Sequence, residues 1–176
     1  MSNLLPPDTH HLSAAEGWLE LGNPLEALAE LERISTTAQE RVEVLSLRWS
    51  IAAQSKSWEA CVRIATNIVE RAPKEVFGWI HRSYALHELK RTQEAHDLLL
   101  PAVKKFPKNE TIPYNLACYE CQLGEVAAAR DWLRRALKLR NPAELKAQAL
   151  EDPDLKPLWP EIKSMPIAVK EFPARD

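Results

Sequence analysis

Four stretches of this chain are variations on one pattern: GNPLEALAELERI from Gly22, SKSWEACVRIATN from Ser55, KRTQEAHDLLLPA from Lys90 and GEVAAARDWLRRA from Gly124. An alanine recurs at Ala27, Ala60, Ala95 and Ala129, at intervals of 33, 35 and 34 residues, and four residues after each stands Leu31, Ile64, Leu99 or Leu133. A fixed period of this size constrains the fold more than any local propensity. Each period is one supersecondary unit that cannot bury its apolar face alone, so successive units must stack into a continuous core. Ahead of each stretch lies another with helical spacing, such as Trp79, Arg82, Ser83 and Leu86, or Leu116, Ala117 and Glu120. Every unit therefore reads as helix, short turn, helix.

The units resemble tetratricopeptide repeats. In the third, Trp79, Ser83, Ala95, Ala102 and Pro107 stand where that family has its Trp, small residue, two alanines and closing Pro. In the fourth, Leu116, Ala117, Gly124, Ala129 and Ala136 match, with Pro113 in the Trp position. The first has Ala15 at the small site; the second is read with Arg48 there, a bulk that conflicts with close helix packing. The resemblance implies an all-α fold, an α-solenoid of four helix-turn-helix repeats at about 8–39, 40–73, 74–108 and 109–140, together spanning 1–140. It also implies a scaffold that binds peptide or protein segments.

Residue chemistry leads to the same architecture. Only four glycines occur in 176 residues, and Ala, Leu, Glu, Lys and Arg abound, which favours helix. Small residues at Ala15, Ser83 and Ala117 on first helices permit close approach to Ala27, Ala95 and Ala129 on second helices. Asn23-Pro24 with Glu26, Ser57 and Thr92 mark helix starts. Helices are expected near 8–21, 24–36, 40–54, 57–71, 74–89, 92–105, 109–122 and 125–139. Pro101 falls inside the sixth and should kink it.

After Asn141 the period stops. Asn141-Pro142 opens a short helix to about Leu150, Asp152-Pro153-Asp154 restarts the chain, and Leu155, Leu158, Trp159 and Ile162 present one apolar face. The stretch from Leu150 to Leu155, LEDPDL, is similar to the closing element of bacterial tetratricopeptide arrays. Residues 141–163 are expected to cap the stack, with 164–176 extended or mobile.

Phasing each first helix on its small residue projects an inner stripe. It comprises Leu12, Glu16 and Leu19; Val42, Leu45, Trp49 and Ala52; Phe77, Ile80, Tyr84 and His87; and Thr111, Tyr114, Cys118 and Cys121. The binding expectation is an apolar peptide or helix held in this groove by Leu45, Trp49, Ala52, Phe77, Ile80, Tyr84, His87, Tyr114 and Cys118, with Trp49, Phe77, Tyr84 and Tyr114 as anchors. The stripe offers little to neutralise a carboxylate, which disfavours a clamp for acidic tails; Asn115 is the one polar contact nearby. The alternative is self-association, a homo-oligomer in which the groove or the cap receives a tail bearing Ile167, Val169 and Phe172.

Other classes lack their signatures. A formal charge of −2 gives no electrostatic footprint for nucleic acid or an anionic membrane. The start shows neither a signal peptide nor a membrane span, so a cytoplasmic protein is the expectation. Three cysteines make no disulfide framework. Cys118 and Cys121 sit mid-helix rather than at a helix start, and Cys61 lacks a partner, so neither a zinc site nor a redox pair is expected. Of His10, His11, His81, His87 and His96, His87 falls on the projected stripe and His81 one residue from it, but neither has an orienting partner in sequence, and there is no phosphate loop or nucleophile elbow. The reading is of a protein that is not an enzyme and needs no cofactor or metal. The basic run Arg130, Arg134, Arg135, Lys138 and Arg140 reads as a solvated helix face.

Overall fold

Among the described residues, four with positive φ punctuate the backbone, Gly22 (76°), Lys56 (53°), Lys90 (63°) and Gly124 (88°), each 34 positions from the next. They sit in the turns between α1 (Asp8–Glu20) and α2 (Pro24–Glu32), α3 (Val42–Gln54) and α4 (Trp58–Arg71), α5 (Val76–Glu88) and α6 (Thr92–Leu99), and α8 (Thr111–Leu123) and α9 (Val126–Leu137). A left-handed residue after a helix turns the next amide back onto an unpaired carbonyl of the last turn. Asn23 N–H donates to Trp18 O at 2.9 Å, Ser57 N–H to Ala52 O at 2.9 Å and Glu125 N–H to Glu120 O at 2.8 Å. Glycine adopts this conformation freely, whereas lysine is strained in it.

This computed structural model describes residues 4–165, and the chain forms two compact units, Met1–Leu89 and Lys90–Asp176. The first holds α1 to α5. The second holds α6, α7 (Ala102–Lys105), α8, α9, α10 (Pro142–Glu151), a 3-10 helix (Pro153–Leu158) and α11 (Trp159–Ser164). The boundary falls between α5 and α6, inside the third repeat of the sequence. The tail bearing Ile167, Val169 and Phe172 lies outside the described residues.

Counting from the turns corrects the register of the second repeat. Five residues beyond each turn stand Ala27, Cys61, Ala95 and Ala129, all with no exposed surface, and nine beyond stand Leu31, Ala65, Leu99 and Leu133, equally buried. Ala60 and Ile64 copy the alanine-leucine spacing of the other repeats, yet both are only partly buried. Cys61 packs as a small apolar residue, and the lysine in its turn left no glycine to mark the true phase. The small site seven residues before each turn is therefore Ala15, Trp49, Ser83 and Ala117. Trp49 occupies the crowded position, not Arg48.

The helix ends follow local chemistry. Asn23 Oδ1 accepts from Glu26 N–H at 3.3 Å and Asn141 Oδ1 from Ala143 N–H at 3.0 Å, each ahead of a first-turn proline. Ser57 stands at a helix start without a side-chain cap, and Thr92 is already the first helical residue. The expected interruption at Pro101 is present. α6 ends at Leu99, and Val103 N–H turns back to Leu100 O at 3.2 Å before α7 resumes. Within the first unit, α4 and α5 approach so closely that a Cβ on Gly78 would stand 2.9 Å from Ile68 Cγ2 and from Val69 Cγ2. In the second, Leu145, Ala149, Leu155, Leu158 and Ile162 bury the apolar face of the chain's last helices.

Replacing the strained lysines, Lys56→Gly and Lys90→Gly, should each raise unfolding free energy in urea by about 0.5–1 kcal/mol. A loss of stability at either site would show that the turn is not held left-handed in solution.

Candidate functional site

An indole stands at a position that is alanine or serine in the other repeats, packed with Cys61, Ala65 and Ala85, and other rings collect around it. Trp49 meets Phe77 edge-on (centroids 5.9 Å apart, planes at 89°), His81 at 4.3 Å and Tyr84 at 6.5 Å. Phe77 lies over His81 at 3.8 Å, and Trp58 at the start of α4 meets Tyr84 at 5.7 Å. The contacts of Trp49 with Phe77, His81 and Tyr84, and of Trp58 with Tyr84, are edge-to-face and set the positive edge of one ring against the negative face of another, whereas Phe77 and His81 are tilted by 32°. Tyr84 is 40% exposed and Trp49 only 7%, so the cluster grades from the core of the first unit to its surface.

Two polar atoms inside the cluster have no hydrogen-bond partner among the described residues, Trp49 Nε1 and His81 Nδ1. Leaving a buried donor or acceptor unpaired costs about 1–3 kcal/mol. Burial pulls the His81 pKa down to about 4, which keeps the imidazole neutral at physiological pH. Cys61 closes the cluster from beneath, its thiol 3.7 Å from the Trp49 carbonyl oxygen, and burial pushes its pKa up to about 11.

The structure distributes the expected groove residues differently from the projected stripe. With the register corrected, the inner stripe of the second repeat falls on Ser46, Ser50 and Ala53, one residue beyond Leu45, Trp49 and Ala52. Leu45, Ile80 and His87 are buried rather than open, Ala52 and Phe77 are half-buried, and Tyr84 is the exposed member. Trp58 and His81 belong to the cluster but were not assigned to the groove. Trp58 is on a second helix, and His81 is displaced by one residue from the projected stripe.

In the second unit the expected open groove is covered. The Tyr114 hydroxyl donates to Asp152 Oδ2 at 2.8 Å, the Cys118 thiol lies 3.6 Å from the same oxygen, and Gln122 Nε2 donates to the Asp154 carbonyl at 3.2 Å. Tyr114 and Cys118 are each 5% exposed. Asp152 also accepts from Asp154 N–H at 3.0 Å, so one carboxylate starts the 3-10 helix and fastens it to α8. Burial, reinforced by the Asp152 and Asp154 charges, raises Cys118 well above the usual thiol range and Cys121 to about 11. Protonated, buried thiols are poor nucleophiles.

Six further basic or histidine residues named from the sequence are engaged within the chain. Arg130 makes a bidentate pair with Glu161, one bond at 2.6 Å. Arg134 pairs with Asp131, Arg135 lies over Trp132, and Arg140 reaches Gln148 at 2.8 Å. His11 binds Glu30 at 2.8 Å, and His96 stands 3.0 Å from both Asp97 and Glu120. Among the described residues no group of three or more His, Cys, Asp or Glu can hold a metal ion, and no helix is long and apolar enough to cross a membrane.

The fold with these features is that of a tetratricopeptide-type repeat protein, all-α and of the α-solenoid class. Among solved structures, TTC0263, a thermophilic TPR protein in Thermus thermophilus, is similar with a TM-score of 0.67 and 18% identity, over 89% of this chain and 95% of that one. MamA from AMB-1 gives a TM-score of 0.64 at 16% identity, over 90% and 91% of the two chains. MamA from MSR-1 gives 0.63 at 20% identity, over 73% and 74%. No family sequence model matches this chain, and neither does any curated protein.

Because His81 is neutral in the fold and protonated below pH about 6.5 when unfolded, the stability it supports is complete above that pH and lost as pH falls toward about 4. Melting temperature should therefore decline across that window, and the decline should be shallower in His81→Phe. An identical acid limb in the variant would place the titration elsewhere.

Proposed function

We propose that this protein is an interaction scaffold, binding an apolar peptide or helix from a partner protein at the aromatic cluster on α3 and α5. The observation that carries the reading is the pairing of an exposed aromatic edge, Tyr84, with two unsatisfied polar atoms behind it, Trp49 Nε1 and His81 Nδ1. Exposed rings over a buried aromatic layer that is short of hydrogen bonds are the makings of an anchor surface: the rings supply contact area, and a partner seated on them excludes water from the layer beneath. Phe77 and Tyr84 are the proposed contact residues, and Trp49 is the wall that positions them. Ala52, Ile80 and His87 support the surface from within rather than touch the ligand. Binding, not catalysis, is the proposed activity, and an intracellular soluble compartment is its proposed setting.

A second reading, self-association, has one observation in its favour. Trp18, Leu21, Leu25 and Leu28 are exposed around the turn joining α1 and α2, with Leu21 77% and Leu25 78% accessible.

The test is capture of partners by wild type and by Tyr84→Ala, followed by light scattering of both. Loss of the captured partner with an unchanged melting temperature and an unchanged mass supports the scaffold reading. Equal capture by the variant overturns it, and a concentration-dependent dimer abolished by Leu21→Glu and Leu25→Glu supports self-association instead.

A further inference from the structure

Residues 34 apart in the second and third repeats allow one helix pair to be read as the template for the other. Trp79 corresponds to Leu45, Arg82 to Arg48 and Pro73 to Gln39. In the third repeat the Trp79 indole donates to the Pro73 carbonyl at 3.2 Å, and the Arg82 guanidinium carbon lies 5.5 Å from the ring centroid. In the second, Leu45 is too small to fill that volume. A cavity of about 390 Å³ opens there, lined by Gln39, Glu40, Leu45, Arg48, Arg63, Ile64 and Asn67. That size is within the range of about 300–1,000 Å³ that small-molecule sites occupy.

The walls are held in place. Gln39 Nε2 donates to the carbonyls of Leu31 at 2.8 Å and Ile34 at 2.7 Å, which fixes the amide so that its Oε1 accepts from Arg48. Glu40 accepts from Asn67 at 2.9 Å and pairs with Arg71 at 2.8 Å, so its charge is compensated. Arg48 has only that neutral amide as partner, and the exposed Arg63 has no hydrogen bond or ion pair, among the described residues. The cavity thus combines an apolar floor, Leu45 and Ile64, with two guanidinium groups that no carboxylate neutralises.

We propose that this pocket binds a planar aromatic carboxylate, its ring taking the place that the Trp79 indole takes in the next repeat. Arg48 lies against the ring face and Arg63 holds the carboxylate. Such a ligand comes from two sources, a free aromatic acid or the C-terminal aromatic residue of a peptide. The site is independent of the Tyr84 cluster.

The experiment is calorimetric titration of the full chain with indole-3-propionate, indole, acetate, and a Gly-Gly-Trp tripeptide with a free or an amidated C-terminus. Saturable binding of indole-3-propionate or of the free-acid tripeptide, at least about tenfold tighter than indole or acetate, is expected, and the arm that binds identifies the source. Arg63→Gln lies on the surface and should weaken binding about tenfold, the scale of one charge-assisted contact. Leu45→Trp supplies the ring internally and should abolish binding while raising the melting temperature. Equal affinity in Arg63→Gln, unchanged binding by a folded Leu45→Trp protein, or no saturation by any acid up to about 1 mM would overturn the proposal.

Discussion

The left-handed turn, repeated every 34 residues, is the constraint on which the rest of the structure depends. Gly22, Lys56, Lys90 and Gly124 set the point at which each first helix stops and its partner begins. A turn displaced by one position rotates the following helix by about 100°, taking every packed side chain off the core face. Burial confirms how strictly the phase is kept, since Ala27, Cys61, Ala95 and Ala129 all lose their whole surface. That two of the four turns use lysine shows that packing of the helix pairs outweighs about 1–2 kcal/mol of local strain at each.

Given that phase, the peculiarity of the second repeat follows. Its small site holds Trp49, an indole where the other repeats have Ala15, Ser83 and Ala117, and it is buried against Cys61, Ala65 and Ala85. It is accommodated by an aromatic shell of Phe77, His81 and Tyr84 on α5. Leu45 sits where the third repeat has Trp79, and the space it leaves is the Arg48 cavity. Two departures from the repeat, one too large and one too small, therefore account for both surfaces proposed to bind ligands. The regular positions make scaffold; the irregular ones make sites.

Much of the fold was legible in the sequence because periodicity is a long-range signal. The helix-turn-helix units, the Asn23 and Asn141 caps, the break at Pro101 and the apolar face of Leu155, Leu158 and Ile162 all follow from spacing and backbone chemistry. The register of the second repeat did not, because Ala60 and Ile64 imitate the pattern carried by Cys61 and Ala65. The site was less legible than the fold. Tyr114 and Cys118 have helical spacing suited to an open stripe, and only three dimensions bring Asp152, 38 and 34 residues away, to cover them. His81 and Trp58 likewise join the cluster through tertiary contacts that no single helical period encodes.

The register of the second repeat is tested most directly by comparing thermal and urea unfolding of Cys61→Leu and Ala60→Leu. Cys61 has no accessible surface and Ala60 is partly exposed, so overpacking at Cys61 should cost about 1–3 kcal/mol while Ala60→Leu stays within about 0.5 kcal/mol of wild type. Equal losses, or a larger loss at Ala60, would contradict the 34-residue phase and the sites derived from it.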